Sequence, residues 1–517
     1  MRLIWHIFKK DARRLWWQVA ITLGLLASMA YLDRWRADAA PGSAEGWLNI
    51  LLPAAWTCLI GILILQDPLV GDREFWPTLP CRWRVMLGAK ALFLLAFIHL
   101  PYLLAQMAIL GARGFQPFAY LPQLLLKQVV LLAALTLPAV ALAALVENAV
   151  QFMLIAVVTC TAVVFMVQYA ARSYLAGGIQ GEATNAAIAM FLTSLGAVAV
   201  TLLQYGWRRA AVGRWLAIAV AVGAAALYIW LPRASMAAAF SPSPAGATIS
   251  VSLSSRQEPL TETVRRMLSA PGGVVQVAVP IEVAGAPDAA IVNFSQLALE
   301  IRDSAGQRYQ TDFAYRWDPY RKTSLGASLL PWNYSTPTLQ VLTLSRPLYG
   351  RIGSSTVTLR GRLFAQFHRR GAATRMAVDS QFVAPGVGKC SIIRSEMGFG
   401  QETLKVDCES PVAIPSPTHV TLLDPKTGRE WTNGAASVYS SGVSPRITWL
   451  SPLNHRDTIF LLATEEQYQH MGSRWLVPQE VLATAQLEIV PEPLTGYAIV
   501  EYELPGITLS KFAVPPR

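Results

Sequence analysis

The sequence predicts a polytopic α-helical membrane bundle of about seven spans, followed by an extracytoplasmic all-β domain built as two β-sandwiches. Three observations predict it. A hydrophobic fraction of 53%, only 15% charged residues and a mean hydropathy of +0.37 form a membrane-protein balance. Apolar runs near the ~20 residues a helix needs to cross a bilayer recur throughout the first half. Beyond Ala234 the composition turns to Ser, Pro, Gly and alternating β-branched residues. The predicted parts are an interfacial helix at 1–15, a transmembrane domain at 16–232, a linker at 233–246, and β-sandwich-like domains at 247–385 and 386–517.

The first residues place Ile4, Phe8, Ala12, Leu15 and Trp16 on one helical stripe, with Lys9, Lys10, Arg13 and Arg14 mostly off it. That pattern is an amphipathic helix lying at the membrane surface, its basic side toward anionic headgroups. A cleaved signal peptide ending at Ala37-Asp38-Ala39 is disfavoured, because Arg34 and Arg36 crowd the cleavage region and more apolar spans follow.

Span-length apolar runs fall at 16–32, 47–66, 91–111, 123–146, 149–169, 186–206 and 212–231. Short-loop basic residues set their orientation. With the N-terminus cytoplasmic, the inner segments hold Lys9, Lys10, Arg13, Arg14, Arg73, Arg82, Arg84, Lys90, Arg208, Arg209 and Arg214. The outer loops hold Arg34, Arg36, Arg113 and Arg172. An odd number of spans then leaves everything after Pro232 outside the cell membrane. Of the net charge of +11, residues 1–245 contribute 18 Lys/Arg against 9 Asp/Glu, and the rest 25 against 23. The excess therefore sits beside the apolar runs, which argues for orientation in a bilayer and against nucleic-acid binding.

Inside the spans, His99 and Lys127 are the candidate functional polar residues, since a charge within the bilayer is costly. Lys127 lies near the outer end of its run and is expected to snorkel to the headgroups; His99, beside Pro101, is expected to be packed or hydrogen-bonded. Pro101 and Pro138 are each expected to kink a span.

Between the second and third runs lies the charged stretch Asp67–Lys90. Asp72, Arg73 and Glu74 can make charge-assisted hydrogen bonds to a soluble partner, and Phe75, Trp76 and Trp83 can fill a pocket on it. The plain alternative is a solvated loop held at the headgroups by Trp and Arg. Arg73-Glu74, Thr78, Leu79-Pro80, Arg82, Arg84 and Lys90 resemble the cytoplasmic loop after the second span of ABC-2 type transporter permeases. The resemblance covers only the membrane half. It implies a permease subunit that docks a separate cytoplasmic ABC ATPase through this loop and the N-terminal helix. The implied docking residues are Asp72, Arg73, Glu74, Phe75, Trp76, Thr78, Arg82, Arg84 and Lys90. It also implies an inner-membrane location and a homodimer or second permease. Trp76-Pro77, the seventh span and the large C-terminal domain depart from the family pattern.

No catalytic role is expected of the chain itself. A phosphate-cradling loop needs Gly, four residues, then Gly-Lys-Ser/Thr; Gly386-Val387-Gly388-Lys389-Cys390 lacks the first glycine and the hydroxyl. The chain is thus expected to bind no cofactor, with ATP and Mg used by the partner subunit. No His-Glu-x-x-His or Cys-x-x-Cys points to a metal. The other reading is a membrane-anchored structural or sensory protein whose β domain binds an extracytoplasmic protein; in a transporter that domain would meet a protein or the cargo.

In the second half, strands are expected at Val274–Val283, Leu297–Ile301, Val357–Phe364, Thr403–Cys408, Thr458–Leu462, Ala485–Val490 and Ala498–Leu504. Cys390 and Cys408 flank a hairpin turning at Gly398-Phe399-Gly400, on facing strand faces. A disulfide there would contribute roughly 3 kcal/mol in the chain-entropy account and needs an oxidising compartment.

Overall fold

The computed structural model describes residues 2–35, 43–66, 83–160, 182–230, 248–255, 274–285, 290–310, 325–330, 338–378, 381–385, 387–397, 401–411, 418–432, 450–463 and 476–514. Asp72, Arg73, Glu74, Phe75, Trp76, Thr78 and Arg82, the linker at 233–246 and the turn at 398–400 lie outside the described residues.

The first half is helical. In chain order the helices are α1 (Arg2–Arg14), α2 (Trp16–Trp35), α3 (Ser43–Leu65), α4 (Trp83–Ala112), α5 (Pro117–Leu145), α6 (Ala149–Cys160), α7 (Glu182–Trp207) and α8 (Ala210–Trp230). Among the described residues, four helices are long and apolar enough to cross a membrane, and a fifth if α1 and α2, bent by 74° at their junction, are taken together. The bend turns the basic face of α1 away from the bundle. Lys9, Lys10, Arg13 and Arg14 are exposed, while Leu15 is buried and Phe8 packs against Phe93 and Phe97 of α4. Trp16, Trp47, Trp207, Trp215 and Trp230 lie exposed near helix ends, where an indole suits a membrane interface.

α4 and α5 are each continuous across the proline at which a kink was expected, Pro101 and Pro138. A proline supplies no N–H to the carbonyl four residues back, which would break an ordinary α-helix. Here one π turn precedes each proline, at Leu95–His99 and at Leu132–Thr136. Leu100 N–H reaches Leu95 O and Leu137 N–H reaches Leu132 O, so the helix takes up the lost bond in a wider turn.

Among the described residues, the second half is a β region of four sheets around two large apolar cores. One sheet runs Ser250–Leu253, Val274–Ala284, Thr338–Ser345, Leu325–Leu330, and a second runs Leu494–Thr508, Thr356–Arg369, Ala290–Arg302, Arg308–Gln310. They share a core that includes Val277, Leu342, Leu359, Phe367 and Leu504. The third sheet runs Arg429–Thr432, Thr418–Asp424, Gln486–Pro491, Thr374–Ala377. The fourth runs Leu476–Pro478, Asn454–Ala463, Gln401–Ser410, Gly388–Met397, Phe382–Ala384. Leu404, Val420, Trp431, Phe460 and Leu487 form the core between these two.

The seven expected strands all fall on observed ones, Ala485 lying one residue before its strand. The division between units is corrected. Residues 384 and 388 pair within one sheet, so the expected join near Pro385-Gly386 is not a boundary. The last strand, Leu494–Thr508, returns to pair along Thr356–Arg369, so the chain leaves the first unit after Arg369, builds the second and comes back. Local strand patterning carries no information on such a long-range pairing.

Cys390 and Cys408 are directly opposite in the Gly388–Met397/Gln401–Ser410 hairpin and form a disulfide. Both are buried.

Candidate functional site

Three polar joints within or at the ends of the helical bundle, together with the groove between them, make the candidate site. The first is at the Trp83 end of α4. Lys90 lies seven residues into that helix, 1% exposed, and its Nζ donates to Asp11 Oδ2 at 3.0 Å and to Leu63 O at 2.9 Å. One ammonium thus ties α1, α3 and α4 together. Asp11 Oδ1 has no hydrogen-bond partner among the described residues. This corrects the expectation that Lys90 offers its charge to a docking partner: burial and ion pairing occupy it. Arg84, the second residue of α4, is exposed and lies over the Trp83 ring at 5.4 Å. Asp11 was not singled out from the sequence, although the signal was there. It sits seven positions after Ile4 and three after Phe8, on the apolar stripe of an otherwise basic helix, where an acid needs a buried cation.

The second joint is where the two π turns meet. His99 closes the π turn of α4 and Thr136 that of α5. Thr136 Oγ1 is 3.3 Å from His99 Nε2, and His99 Nδ1 is 3.1 Å from Gln128 Oε1. His99 thus bridges Gln128 and Thr136, whose hydroxyl also lies 3.5 Å from Leu131 O. The histidine is hydrogen-bonded, as expected; its partners were not legible. A sequence signal for them existed: Leu95-Ala96-Phe97-Ile98-His99-Leu100-Pro101 and Leu132-Ala133-Ala134-Leu135-Thr136-Leu137-Pro138 share the pattern Leu-Ala, three residues, Leu-Pro, with the polar residue before Leu-Pro.

The third joint connects the bundle to the β region. The segment Leu450–Leu453, which leads into the strand Asn454–Ala463, lies among the helices, with Leu450 and Leu453 both 0% exposed in the same apolar core as Trp56 and Tyr102. Tyr102 Oη donates to Leu450 O at 2.9 Å, and Gln106 Nε2 lies 3.5 Å from the same oxygen. Lys127 Nζ donates to Ser451 O. The snorkelling expected of Lys127 is therefore corrected: a β-region carbonyl receives its ammonium. Arg113, in the α4–α5 turn, pairs with Glu409 at 3.2 Å, both largely buried, one residue from Cys408.

Between α4, α5 and α7 runs a groove of about 920 Å³, lined by leucines and valines with Lys90, His99, Gln128, Thr136 and Thr201 among them. Among the described residues no group of three or more His, Cys, Asp or Glu is placed to hold a metal ion.

Compared with known protein families, with curated proteins and with solved structures, the chain matches none of them.

Proposed function

We propose that this chain is the membrane permease subunit of an ATP-driven transporter of the ABC-2 type, with hydrolysis carried out by a separate cytoplasmic ATPase that uses ATP and Mg. In this reading α2 to α8 are seven spans, the N-terminus is cytoplasmic, and the β region stands outside the inner membrane as two sandwiches. A second copy or a related permease completes the assembly.

The observation that carries the reading is the buried Asp11–Lys90 pair. A motor on the cytoplasmic face needs a stiff connection to the bundle. The pair locks the surface helix α1 to the base of α4, and α4 continues without a break past the groove to the Tyr102 contact with Leu450. Displacement of the loop 67–90 would enter α4 at Trp83 and travel along one helix to the β region.

The seated Leu450–Leu453 segment favours a second reading, because a fixed joint also suits a membrane anchor that holds a β domain for an extracytoplasmic partner. Charge reversal at Arg73 and Glu74 separates the two. The intact protein, purified in mild detergent from its host, is expected to bring a stoichiometric P-loop ATPase that is lost in the Arg73→Glu, Glu74→Arg variant. Recovery of extracytoplasmic partners alone, with no nucleotide-binding subunit from the wild type, would overturn the permease reading.

A further inference from the structure

We propose that α4 and α5 are two copies of one element, turned end over end against each other, and that they rock as one piece about the contact between their π turns. Lys90 clamps one end of this rocker and Lys127 the other. The inference concerns how the bundle moves and not what drives it. Its test is made on the chain alone, so the absence of an ATPase partner would leave it standing.

The sequence carries the duplication. Self-similarity at a fixed shift is the mark of a repeated element. A shift of 37 positions lays residues 87–101 on residues 124–138, and seven of the fifteen pairs are identical. Five of those are leucine or alanine, which any apolar span supplies. The other two are informative: Lys90 falls on Lys127, and Pro101 on Pro138. No other lysine occurs between Lys10 and Lys322. The structure adds a third match, because the π turns Leu95–His99 and Leu132–Thr136 coincide under the same shift.

The arrangement follows from one contact. α4 and α5 are joined by the short turn 113–116 and run in opposite directions. His99 and Thr136 are equivalent positions, and they lie 3.3 Å apart. A contact between equivalent positions is unchanged when the two copies are exchanged, so it lies on the two-fold axis that relates them. Lys90 and Lys127 then stand on opposite sides of that axis. Each donates to a backbone carbonyl outside the pair: Lys90 to Leu63 O, alongside Asp11, and Lys127 to Ser451 O. The pair is pinned at its centre and clamped at both ends. The symmetry is approximate, since Gln128, which meets His99, has Ala91 as its counterpart.

Inverted copies suit rocking, because exchanging them turns a tilt one way into a tilt the other way. A pair pinned at its centre moves its two ends in opposite senses. Both clamps are closed in this structure, and releasing either one lets the pair tilt.

The test reads the two ends with two pairs of spin labels, on the full chain in lipid nanodiscs with Cys58, Cys81 and Cys160 replaced by serine. One pair sits at Arg84 and Trp215, exposed positions on α4 and α8. The other sits at Phe118 and Val383, exposed at the start of α5 and on the β region. Lys90→Met is expected to lengthen the first distance and shorten the second, and Lys127→Met to do the reverse. Thr136→Val removes the central hydrogen-bonding group, so in that background each lysine variant should lengthen the distance at its own end alone. Where Lys90→Met does not fold, Asp11→Asn takes its place, since it removes the charge and leaves Lys90 a hydrogen-bond acceptor. Lengthening of both distances in one lysine variant is general loosening and would overturn the proposal. So would a response confined to one end with Thr136 intact, which is the behaviour of two independent tethers, and so would no response at either end.

Discussion

At the scale of single residues, the bundle is held by a few polar contacts in apolar surroundings. Asp11 and Lys90 are 0% and 1% exposed, so neither can recover in water what it loses with its partner. Removing one leaves an uncompensated buried charge, at a cost of about 3–5 kcal/mol. Replacing both with apolar residues removes the desolvation penalty along with the attraction. Asp11→Ala and Lys90→Met are therefore each expected to lower the denaturation midpoint in detergent strongly, and Asp11→Leu combined with Lys90→Met to regain most of it. Additive losses in that cycle would show that the two do not act as a pair. Of this site the sequence made His99 conspicuous as a polar residue inside an apolar run, and Lys90 as the last cation of the charged stretch, for which docking was expected. Asp11 and Gln128 were harder to see, because each matters only through a residue at least 29 positions away.

At the scale of elements, strand patterning is a short-range property and was readable, as was the helical half, where four or five helices among the described residues reach span length against the seven expected. The π turns were not, because a proline in an apolar run signals only a missing hydrogen bond; whether a helix bends or winds wider depends on what packs against it. The β sheets show a comparable local accommodation. Gly361 lies opposite Tyr502, and a Cβ built on it would come within 2.3 Å of the tyrosine ring. The ring fills the glycine's place, and its hydroxyl donates to Gln340 Oε1 at 2.9 Å in the facing sheet, where Gln340 is 0% exposed. Gly361→Leu should displace the ring and break that hydrogen bond. The expected loss is about 2–4 kcal/mol, from overpacking together with the lost bond, read as a lower melting temperature of the β region. An unchanged melting temperature would mean that Tyr502 moves aside without cost.

At the scale of the whole molecule, the two halves are joined by donors on the helices and acceptors on the β region: Tyr102 and Lys127 to the carbonyls of Leu450 and Ser451, and Arg113 to Glu409. Nothing in the sequence pointed to Leu450–Leu453 as part of the bundle, because a four-residue connection has no period and its apolar residues read as ordinary loop positions. Lys127 had the right signal, a charge inside an apolar run, and the wrong partner was inferred for it. Lys127→Met is expected to speed hydrogen exchange at the Leu453 amide, which donates to Ser451 Oγ, at least several-fold, with the central amides of α4 unchanged. Equal acceleration in both places would mean that the lysine stabilises the bundle generally rather than seating the segment.

The return of Leu494–Thr508 to the first unit has a consequence for how the protein is made. Thr356–Arg369 is flanked on one side by Ala290–Arg302 as soon as both are synthesised, but its other edge waits for the far end of the chain. The ribosome must add 125 residues after Arg369 to reach Leu494 before that edge can be covered. At about 5–20 residues per second this is an interval of about 6–25 s, during which a fourteen-residue strand presents a free row of amides and carbonyls. A ribosome that stops anywhere in the second unit releases a chain whose open edge can template pairing with its neighbours, so premature termination there should yield aggregates rather than a shortened soluble domain.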